Sequence, residues 1–335
     1  MSKFRAVLKR AINSQYSGII LVVVVLVFGM AIASKPFLNP NNLVNIISQV
    51  TLNCIIAAGQ TVVILTGGID LSVGSIIAMQ AVLLAVFMVS FHLDPLLAVF
   101  LILVTGALVG LLNGVLVAKF KVQPMIATLG TMSIFRGLAL TISQGQPISG
   151  LPPSFTWIGN ATIPGPGIDV PLQIFIMLGV LLSIFYLLKF RKTGRYLYAI
   201  GGNEEVTRLS GVSVMKYKIL AYVISGLAST VAAILMLAKL QTALPNAGVG
   251  YELQAIACTV IGGTSLQGGY GSIWGTFIGA ILIGIINNGM NILGVSSFLQ
   301  QVVVGSIILF AVLVESARRG ALSGGVKSRK TTFLG

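Results

Sequence analysis

Residues 95–118 read PLLAVFLILVTGALVGLLNGVLVA, a stretch of 24 residues without a charged side chain. As an α-helix it would be about 36 Å long, which exceeds the hydrocarbon core of a bilayer at about 30 Å. Two lysines, Lys119 and Lys121, follow closely. An apolar run of this length that ends on basic residues predicts a membrane-spanning helix.

The composition of the whole chain agrees with a lipid environment. The 335 residues are 56% hydrophobic and 8% charged, whereas soluble domains carry roughly 25% charged residues. A chain so poor in charge cannot cover a water-facing surface. Apolar runs also recur from residue 19 to residue 314, which excludes a soluble protein with a single membrane anchor.

Nine runs are long and apolar enough to cross a membrane. They are residues 17–33, 43–65, 72–91, 95–118, 124–143, 171–188, 217–238, 272–293 and 296–314. A tenth run, 251–261, is too short to cross unaided and is expected to be a broken helix packed among its neighbours. The sequence therefore predicts an all-α fold over residues 1–335, a single polytopic membrane helix bundle of about ten transmembrane helices.

The basic residues lie in the gaps between the apolar runs and account for a net charge of +14. Four lie in the segment 1–15, two follow residue 118, seven lie between 189 and 218, and five lie in the tail 317–335. With a cytoplasmic N-terminus, ten spans place 18 of the 21 basic residues and both termini on the cytoplasmic side. This pattern indicates orientation against an anionic lipid leaflet and argues against a nucleic-acid partner.

The first span has a second interpretation. A basic start, an apolar core and Ala31-Ile32-Ala33 also resemble a secretory signal sequence with its cleavage site. The apolar core is long for such a signal, and cleavage would leave the orientation of the remaining spans unchanged.

Two connections between spans are long. The outer connection, 144–170, is rich in Pro and Gly and is expected to form an irregular loop on the outer face. The inner connection contains GGNEEVTRLSG at 201–211, in which Asn203 suits an N-cap and Gly211 suits a helix stop. A two-turn helix outside the membrane is therefore predicted. The residues of this feature are Gly201, Gly202, Asn203, Glu204, Glu205, Val206, Thr207, Arg208, Leu209 and Ser210.

Amide side chains form two clusters within apolar spans. In the span 43–65 four of them fall within an arc of about 80° on a helix with about 100° per residue. These four are Asn45, Gln49, Asn53 and Gln60, and the second cluster is Asn287, Asn288 and Asn291. They face either a water-filled path or a neighbouring helix, because lipid would leave their hydrogen bonds unmade. Neutral amides donate and accept hydrogen bonds, which suits a polyhydroxylated ligand.

Two ionisable residues lie at membrane depth. Arg136 is in the middle of a span, and Asp70 follows Gly67 and Gly68 at a break between two spans. Such residues are candidates for a translocation path, and the alternative is that they satisfy one another structurally. A faint likeness between the segments 67–75 and 262–269 hints at an internal repeat.

Glycine recurs at every fourth position in two spans. The residues are Gly106, Gly110 and Gly114 in one span and Gly271, Gly275 and Gly279 in or just before another. Ridges of this kind let helix backbones approach closely, so we expect them to pack against neighbouring helices.

The chain lacks the motifs of an enzyme or an ATP-binding protein. It has no G-x-x-x-x-G-K-[ST] phosphate loop and a single histidine, His92. Two cysteines in apolar runs and seven acidic residues suggest neither a metal site nor an intramembrane proton relay. We expect this chain to bind no cofactor, and uphill transport would draw its energy from elsewhere.

Several motifs together resemble the monosaccharide ABC transporter permeases of the ribose, xylose and galactoside type. They are ILTGGIDLSVGS at 64–75, AIGGNEE at 199–205, TRLSGV at 207–212, GYELQAIA at 250–257, GGTSL at 262–266 and NNG at 287–289. The likeness covers nearly the whole chain. It implies a permease in the bacterial inner membrane, with ribose as the expected sugar and xylose, inositol, galactofuranose or autoinducer-2 as alternatives.

The resemblance also implies partners. They are a second copy of the permease, cytoplasmic ATPase subunits that carry ATP and magnesium, and a periplasmic sugar-binding protein, besides the sugar and the membrane lipid. The helix in 201–211 would be the cytoplasmic coupling helix that docks into the ATPase. The connections 144–170 and 242–250 would face the binding protein.

Three other functions remain as alternatives. A proton-coupled secondary sugar transporter would work as a single chain, but it needs more intramembrane acids than are present. A branched-chain amino-acid permease would need more charge in its path, because its substrate is zwitterionic. A passive channel or a non-transporting receptor would fail to stimulate an ATPase.

Overall fold

The computed structural model describes the backbone of residues 17–165 and 169–327, and the side chains of these ranges as far as residue 313. Thirteen α-helices follow one another in these ranges. They are α1 Ser17–Ala33, α2 Pro40–Leu65, α3 Val73–Val89, α4 Pro95–Ala118, α5 Pro124–Ile142, α6 Pro153–Asn160, α7 Leu172–Phe190, α8 Lys192–Gly202, α9 Glu204–Leu209, α10 Val214–Leu240, α11 Tyr251–Ile261, α12 Ile273–Ile292 and α13 Ser297–Lys327. The predicted basic segment 1–15 and residues 328–335 of the predicted tail lie outside the described residues.

Ten of these helices are apolar. Six are long and apolar enough to cross a membrane, and four shorter ones, α1, α3, α11 and the part Ser297–Leu313 of α13, complete the set. These ten helices coincide with the ten predicted runs, to within a few residues at each end. The prediction of a polytopic, all-helical membrane bundle is confirmed.

The helix boundaries follow from local chemistry. Four helices, α2, α4, α5 and α6, begin on proline, whose fixed φ and missing N–H suit the first helical position. Asp94 caps α4, since its Oδ1 accepts a hydrogen bond from the Leu96 backbone N–H at 2.9 Å. The sequence therefore encodes where the spans begin as well as that they exist.

The helix α10 lies at the centre of the bundle and packs against α2, α3, α4 and α6. The glycine ridge of α4 is pressed against it. A Cβ on Gly110 would lie 2.7 Å from Val223 Cα, and a Cβ on Gly114 would lie 2.7 Å from Ile219 Cα. The predicted packing role of this ridge is confirmed.

Irregular backbone interrupts the helices at two places inside the bundle, the segment 66–72 before α3 and the connection 241–250 before α11. The second interruption accompanies the short helix that the sequence predicts at residues 251–261. The helix α11 has 11 residues and is about 16 Å long, roughly half of a bilayer core. The connection 241–250 that precedes it enters the bundle, where Gly248 lies against Gly74 at the start of α3. The segment 66–72 that precedes α3 is largely buried as well. Irregular backbone at this depth is tolerated because protein surrounds it.

The connection 144–170 is more ordered than expected. It contains α6, and β1 (Thr162–Ile163) pairs antiparallel with β2 (Val170–Pro171) where the connection ends. The prediction of an irregular loop is therefore wrong over Pro153–Asn160. Phe155 is 1% exposed, and Gly159 has no side chain, so α6 seats directly on the backbone at Ala238 near the end of α10. Eight residues are too few to display a helical period in the sequence.

Candidate functional sites in the interior and at the basic end

The short polar helix α9 forms as the sequence predicts. Asn203 Oδ1 accepts a hydrogen bond from the Val206 backbone N–H at 2.9 Å, which caps the first turn. Glu204 and Glu205 occupy that turn, where the helix dipole favours negative charge. Gly211 ends the feature with φ +82°, a conformation that glycine adopts without strain.

The surface of α9 combines charge with exposed apolar side chains. Arg208 Nε donates to Glu205 Oε2 at 3.1 Å, and this hydrogen bond holds the pKa of Glu205 below its ordinary value and raises that of Arg208. Val206 and Leu209 beside this ion pair are 58% and 74% exposed. Two apolar side chains and an ion pair are therefore exposed together on a helix of six residues.

One charge of α9 ties the helix to the bundle instead. Glu204 forms an ion pair with Lys218 near the start of α10. Lys121 in the connection between α4 and α5 acts electrostatically on Glu205, so the two basic connections lie at the same end of the bundle. We call this end, formed by residues 119–123 and 191–213, the basic end.

Asp70 lies fully buried in the interior of the bundle. Its Oδ1 accepts hydrogen bonds from the backbone N–H of Ser72 at 3.0 Å and from Ser72 Oγ at 2.6 Å, and its Oδ2 accepts one from Ser225 Oγ at 2.8 Å. Asn113 Nδ2 of α4 donates to Ser72 Oγ at 2.8 Å. These bonds join the segment 66–72 to α4 and α10.

Gln60 supports the same segment. With its amide nitrogen facing the Asp70 carbonyl, Nε2 donates to Asp70 O and Oε1 accepts from Asp70 N, both at 3.1 Å. Gln60 is itself fully buried. It therefore supplies to an interrupted backbone the two hydrogen bonds that a regular helix would have made internally.

Arg136 fixes the connection 241–250, the other interruption of the bundle. Its Nη1 donates to the backbone carbonyls of Pro245 at 2.9 Å and Ala247 at 2.7 Å. Glu252, whose Oε1 accepts from the Gly250 backbone N–H at 3.2 Å, is the acidic group that acts on it electrostatically. Arg136 and Asp70 have separate partners, so the alternative that they satisfy one another is wrong.

The two amide clusters divide into paired and unpaired members. Asn288 exchanges two hydrogen bonds with Asn42, of 3.1 and 2.9 Å, and Asn291 accepts one from Gln300 at 2.8 Å. These amides join α12 to α2 and α13, and Gln60 is committed to Asp70. Asn45 and Gln49 are exposed, and Asn53 is 8% exposed. Within the described ranges, the side chains of Asn53 and the half-buried Asn287 make no hydrogen bond to another residue.

Sequence reasoning missed the residues that complete the interior network. They are Ser72, Asn113, Ser225 and Glu252. A signal for part of this set is present in α10, where Tyr222, Ser225 and Ser229 recur at i, i+3 and i+7 and so share one helix face. A polar stripe inside an apolar span predicts a buried neighbour with hydrogen-bonding groups.

Comparison with known proteins places the chain in a family. Residues 42–312 match the family described as the branched-chain amino acid transport system / permease component. The ribose import permease of Escherichia coli strain K12 is 44% identical over 304 residues, which cover 90% of this chain and 93% of that protein. The ribose import permease of Bacillus subtilis strain 168 is 45% identical over 303 residues, covering 90% and 92%. No solved structure matches the chain.

A third relative has another sugar in its name. The D-allose transport system permease of Escherichia coli strain K12 is 39% identical over 298 residues, which cover 88% of this chain and 89% of that protein. Such similarity along nearly the whole length agrees with the ten apolar helices and the capped helix α9. The chain belongs to the branched-chain amino acid and monosaccharide permease family of ABC transporters, as a multi-pass, non-catalytic transmembrane component.

Proposed function

We propose that this chain is the permease subunit of an ABC importer that carries ribose across the bacterial inner membrane. The whole chain acts as one permease domain, with the basic end and both termini in the cytoplasm. The observation that carries the proposal is α9, an exposed helix with charged and apolar side chains on a chain without a phosphate loop. In this proposal the chain receives its energy through a protein contact at α9.

The partners follow from this assignment. ATPase subunits, which carry ATP and magnesium, dock on α9 of each copy of a permease homodimer. A periplasmic sugar-binding protein docks at the opposite end, where the connections 144–170 and 242–250 meet. There Ile148 and Ala243 exchange two backbone hydrogen bonds of 3.0 and 2.9 Å, which makes the two connections one surface.

Ribose is the proposed substrate because two relatives with 44% and 45% identity are ribose permeases. The unpaired amides of Asn53 and Asn287, together with the exposed Asn45 and Gln49, supply donors and acceptors for sugar hydroxyls. A path that holds the sugar weakly favours release on the other side. Xylose, inositol, galactofuranose and autoinducer-2 are tested in the same assay.

The test is transport by purified components. The permease is placed in liposomes with its ATPase inside and a ribose-loaded binding protein outside, and radiolabelled ribose is counted in the vesicles. We expect ATP-dependent accumulation that persists when the proton gradient is collapsed. Accumulation by the permease alone would indicate a secondary transporter, equilibration without accumulation would indicate a channel, and leucine uptake would indicate an amino-acid importer.

Charge reversal on α9 tests the docking surface. Glu205→Lys places a third cation near Arg208 and Lys121, so we expect ATP-driven uptake to fall about tenfold or more while the permease still inserts in the membrane. Glu205→Gln, which removes charge without reversing it, should have a smaller effect. Uptake and ATPase binding are measured for both variants. Wild-type transport by Glu205→Lys would refute the assignment of α9.

Removal of an unpaired amide tests the sugar path. Asn53→Leu should slow uptake by about tenfold, equivalent to ~1.4 kcal/mol in the barrier, because the sugar loses a hydrogen-bonding group. Asn53→Ser keeps a donor and an acceptor and should retain more activity. Initial rates at saturating binding protein are compared, with the amount of assembled complex as the control. If Asn53→Leu and Asn53→Ser transport at the same rate, hydrogen bonding by this side chain does not affect transport. Asn53 would then be a packing residue.

A further inference from the structure

A cluster of glycines joins the coupling region to the segments 66–72 and 262–272 of the bundle. Gly201 near the end of α8 lies directly on the carbonyl oxygen of Leu65, the last residue of α2, and a Cβ there would overlap this oxygen. A Cβ on Gly268 would lie 2.9 Å from Gly201 Cα and 2.7 Å from the backbone nitrogen of Gly67. We call Leu65, Gly67, Gly201, Gly268 and Gly269 the glycine junction.

The contacts in this junction are made by backbone atoms. Gly269 N donates a hydrogen bond to Leu65 O at 3.0 Å, so the carbonyl under Gly201 is also fixed by the segment 262–272. Three backbone segments therefore meet without a side chain between them. Such a contact cannot absorb a displacement by changing a rotamer, since close-packed backbone transmits strain.

The helix α8 is firmly seated on the bundle. Leu197 and Ile200 on its inner face are buried, and Tyr198 Oη donates to the carbonyl oxygen of Gly271 at 2.9 Å. Only Asn203 separates the end of α8 from the start of α9. A displacement of α9 is therefore transmitted to α8 across a single residue.

The junction leads to the segment 66–72 and to the segment 262–272. Gly67 opens the segment 66–72, which carries Asp70 and ends where α3 begins. Gly268 and Gly269 lie in the segment between the short helix α11 and α12. A movement of α8 thus acts at one point on the segment 66–72 before α3 and on the segment 262–272 after α11.

We propose that the glycine junction is the element that transmits movement of α9 into the membrane, and that Gly201 is a positioning residue for transport. This inference rests on the proposed function and deepens it. When the ATPase displaces α9, α8 moves with it, and Gly201 passes the movement to the end of α2 and to the segment 262–272. Energy coupling then depends on a backbone contact in which no side chain takes part.

Two helical glycines provide the test and its control. Gly201→Ala places a methyl group on Leu65 O and has to displace α8, whereas Gly179→Ala in α7 places the same methyl group in open space. Both substitutions replace a helical glycine by a residue with a higher helix propensity. We expect Gly201→Ala to transport about tenfold fewer sugar molecules per ATP hydrolysed, with ATPase binding retained, and Gly179→Ala to match the wild type.

The ratio of sugar transported to ATP hydrolysed separates transmission from stability. A merely structural defect lowers assembly and both activities together, and leaves the ratio unchanged. A milder variant, Tyr198→Phe, removes one hydrogen bond of α8 and should lower the ratio by a smaller factor without loss of assembly. It decides the matter if Gly201→Ala does not fold.

Two results would overturn the inference: a wild-type ratio in Gly201→Ala and Tyr198→Phe, or an equal loss in Gly201→Ala and Gly179→Ala. If ATP hydrolysis by the ATPase subunits drives no transport through the wild-type permease, the proposed function is instead refuted. The two failures are therefore distinguishable.

Discussion

Asp70→Leu should leave little folded protein in the membrane. The variant removes the acceptor of three buried donors, the backbone N–H and hydroxyl of Ser72 and the hydroxyl of Ser225. Each buried donor without a partner costs about 1–3 kcal/mol, so a loss of about 3–9 kcal/mol is expected for the three donors. Native domains are stable by only about 5–15 kcal/mol.

The measurement is the thermal unfolding midpoint in mild detergent, together with the fraction of protein that elutes as a single species. Asp70→Asn is the matched control, because its amide keeps the size of the side chain and one acceptor oxygen for Ser72. We expect Asp70→Asn to unfold at a temperature much closer to that of the wild type. An unchanged midpoint in Asp70→Leu would contradict the structural role of the network.

The same pair of variants tests whether Asp70 also belongs to the translocation path. If the carboxylate contacts the sugar, Asp70→Asn folds normally and yet loses transport. If Asp70 only holds the segment 66–72 in place, as its full burial and three hydrogen bonds favour, Asp70→Asn retains transport in proportion to its stability. The ratio of uptake to folded protein separates the two roles.

Gly110→Leu should separate the two central helices. A Cβ on Gly110 would overlap the Tyr222 carbonyl oxygen and lie 2.7 Å from Val223 Cα, and both are backbone atoms of α10. Adding side-chain atoms to a packed core costs about 1–3 kcal/mol and occasionally more. Because no side chain can move aside here, we expect a loss at or above the upper end of that range.

Gly137→Leu in α5 is the control for this prediction. Gly137 is also helical and membrane-embedded, and a Cβ there meets nothing within 4 Å. Both variants are produced as fluorescent fusions, and the monodisperse fraction is measured before and after heating in detergent. Gly137→Leu should behave as the wild type. Equal losses in both variants would mean that leucine is tolerated poorly in any helix of this bundle, which would contradict a specific role for the α4 ridge.

Local chemistry explains why so much of the bundle is predictable. A span needs only about 20 apolar residues and a capped end, and both are written in consecutive residues such as Asp94-Pro95 and the run that follows. The helix α9 is specified in the same way by Asn203, Glu204 and Gly211. The helices α6 and α8 escaped prediction because they are short and their stability comes from contacts with α10 and the segment 262–272.

Polar partners, in contrast, are chosen by three-dimensional packing. Asp70 and Ser225 are 155 residues apart in the chain, and Asn42 and Asn288 are 246 apart. Their positions on the helices were visible, but a helix face has several neighbours and periodicity does not say which one it meets. For that reason the sequence allowed a pair between Asp70 and Arg136. In the structure Asp70 fixes the segment 66–72 and Arg136 fixes the connection 241–250.

By itself, the sequence determined that this protein is an integral membrane protein, how many apolar helices it has, and that a capped polar helix lies outside them. Those properties depend on residues within one or two turns of each other, and on the cost of burying charge. Tertiary structure alone decided that Gly201, Leu65 and Gly268 meet at one point, and that Gln60 satisfies the backbone of Asp70. The reason is that a contact between distant segments depends on how every helix between them is packed.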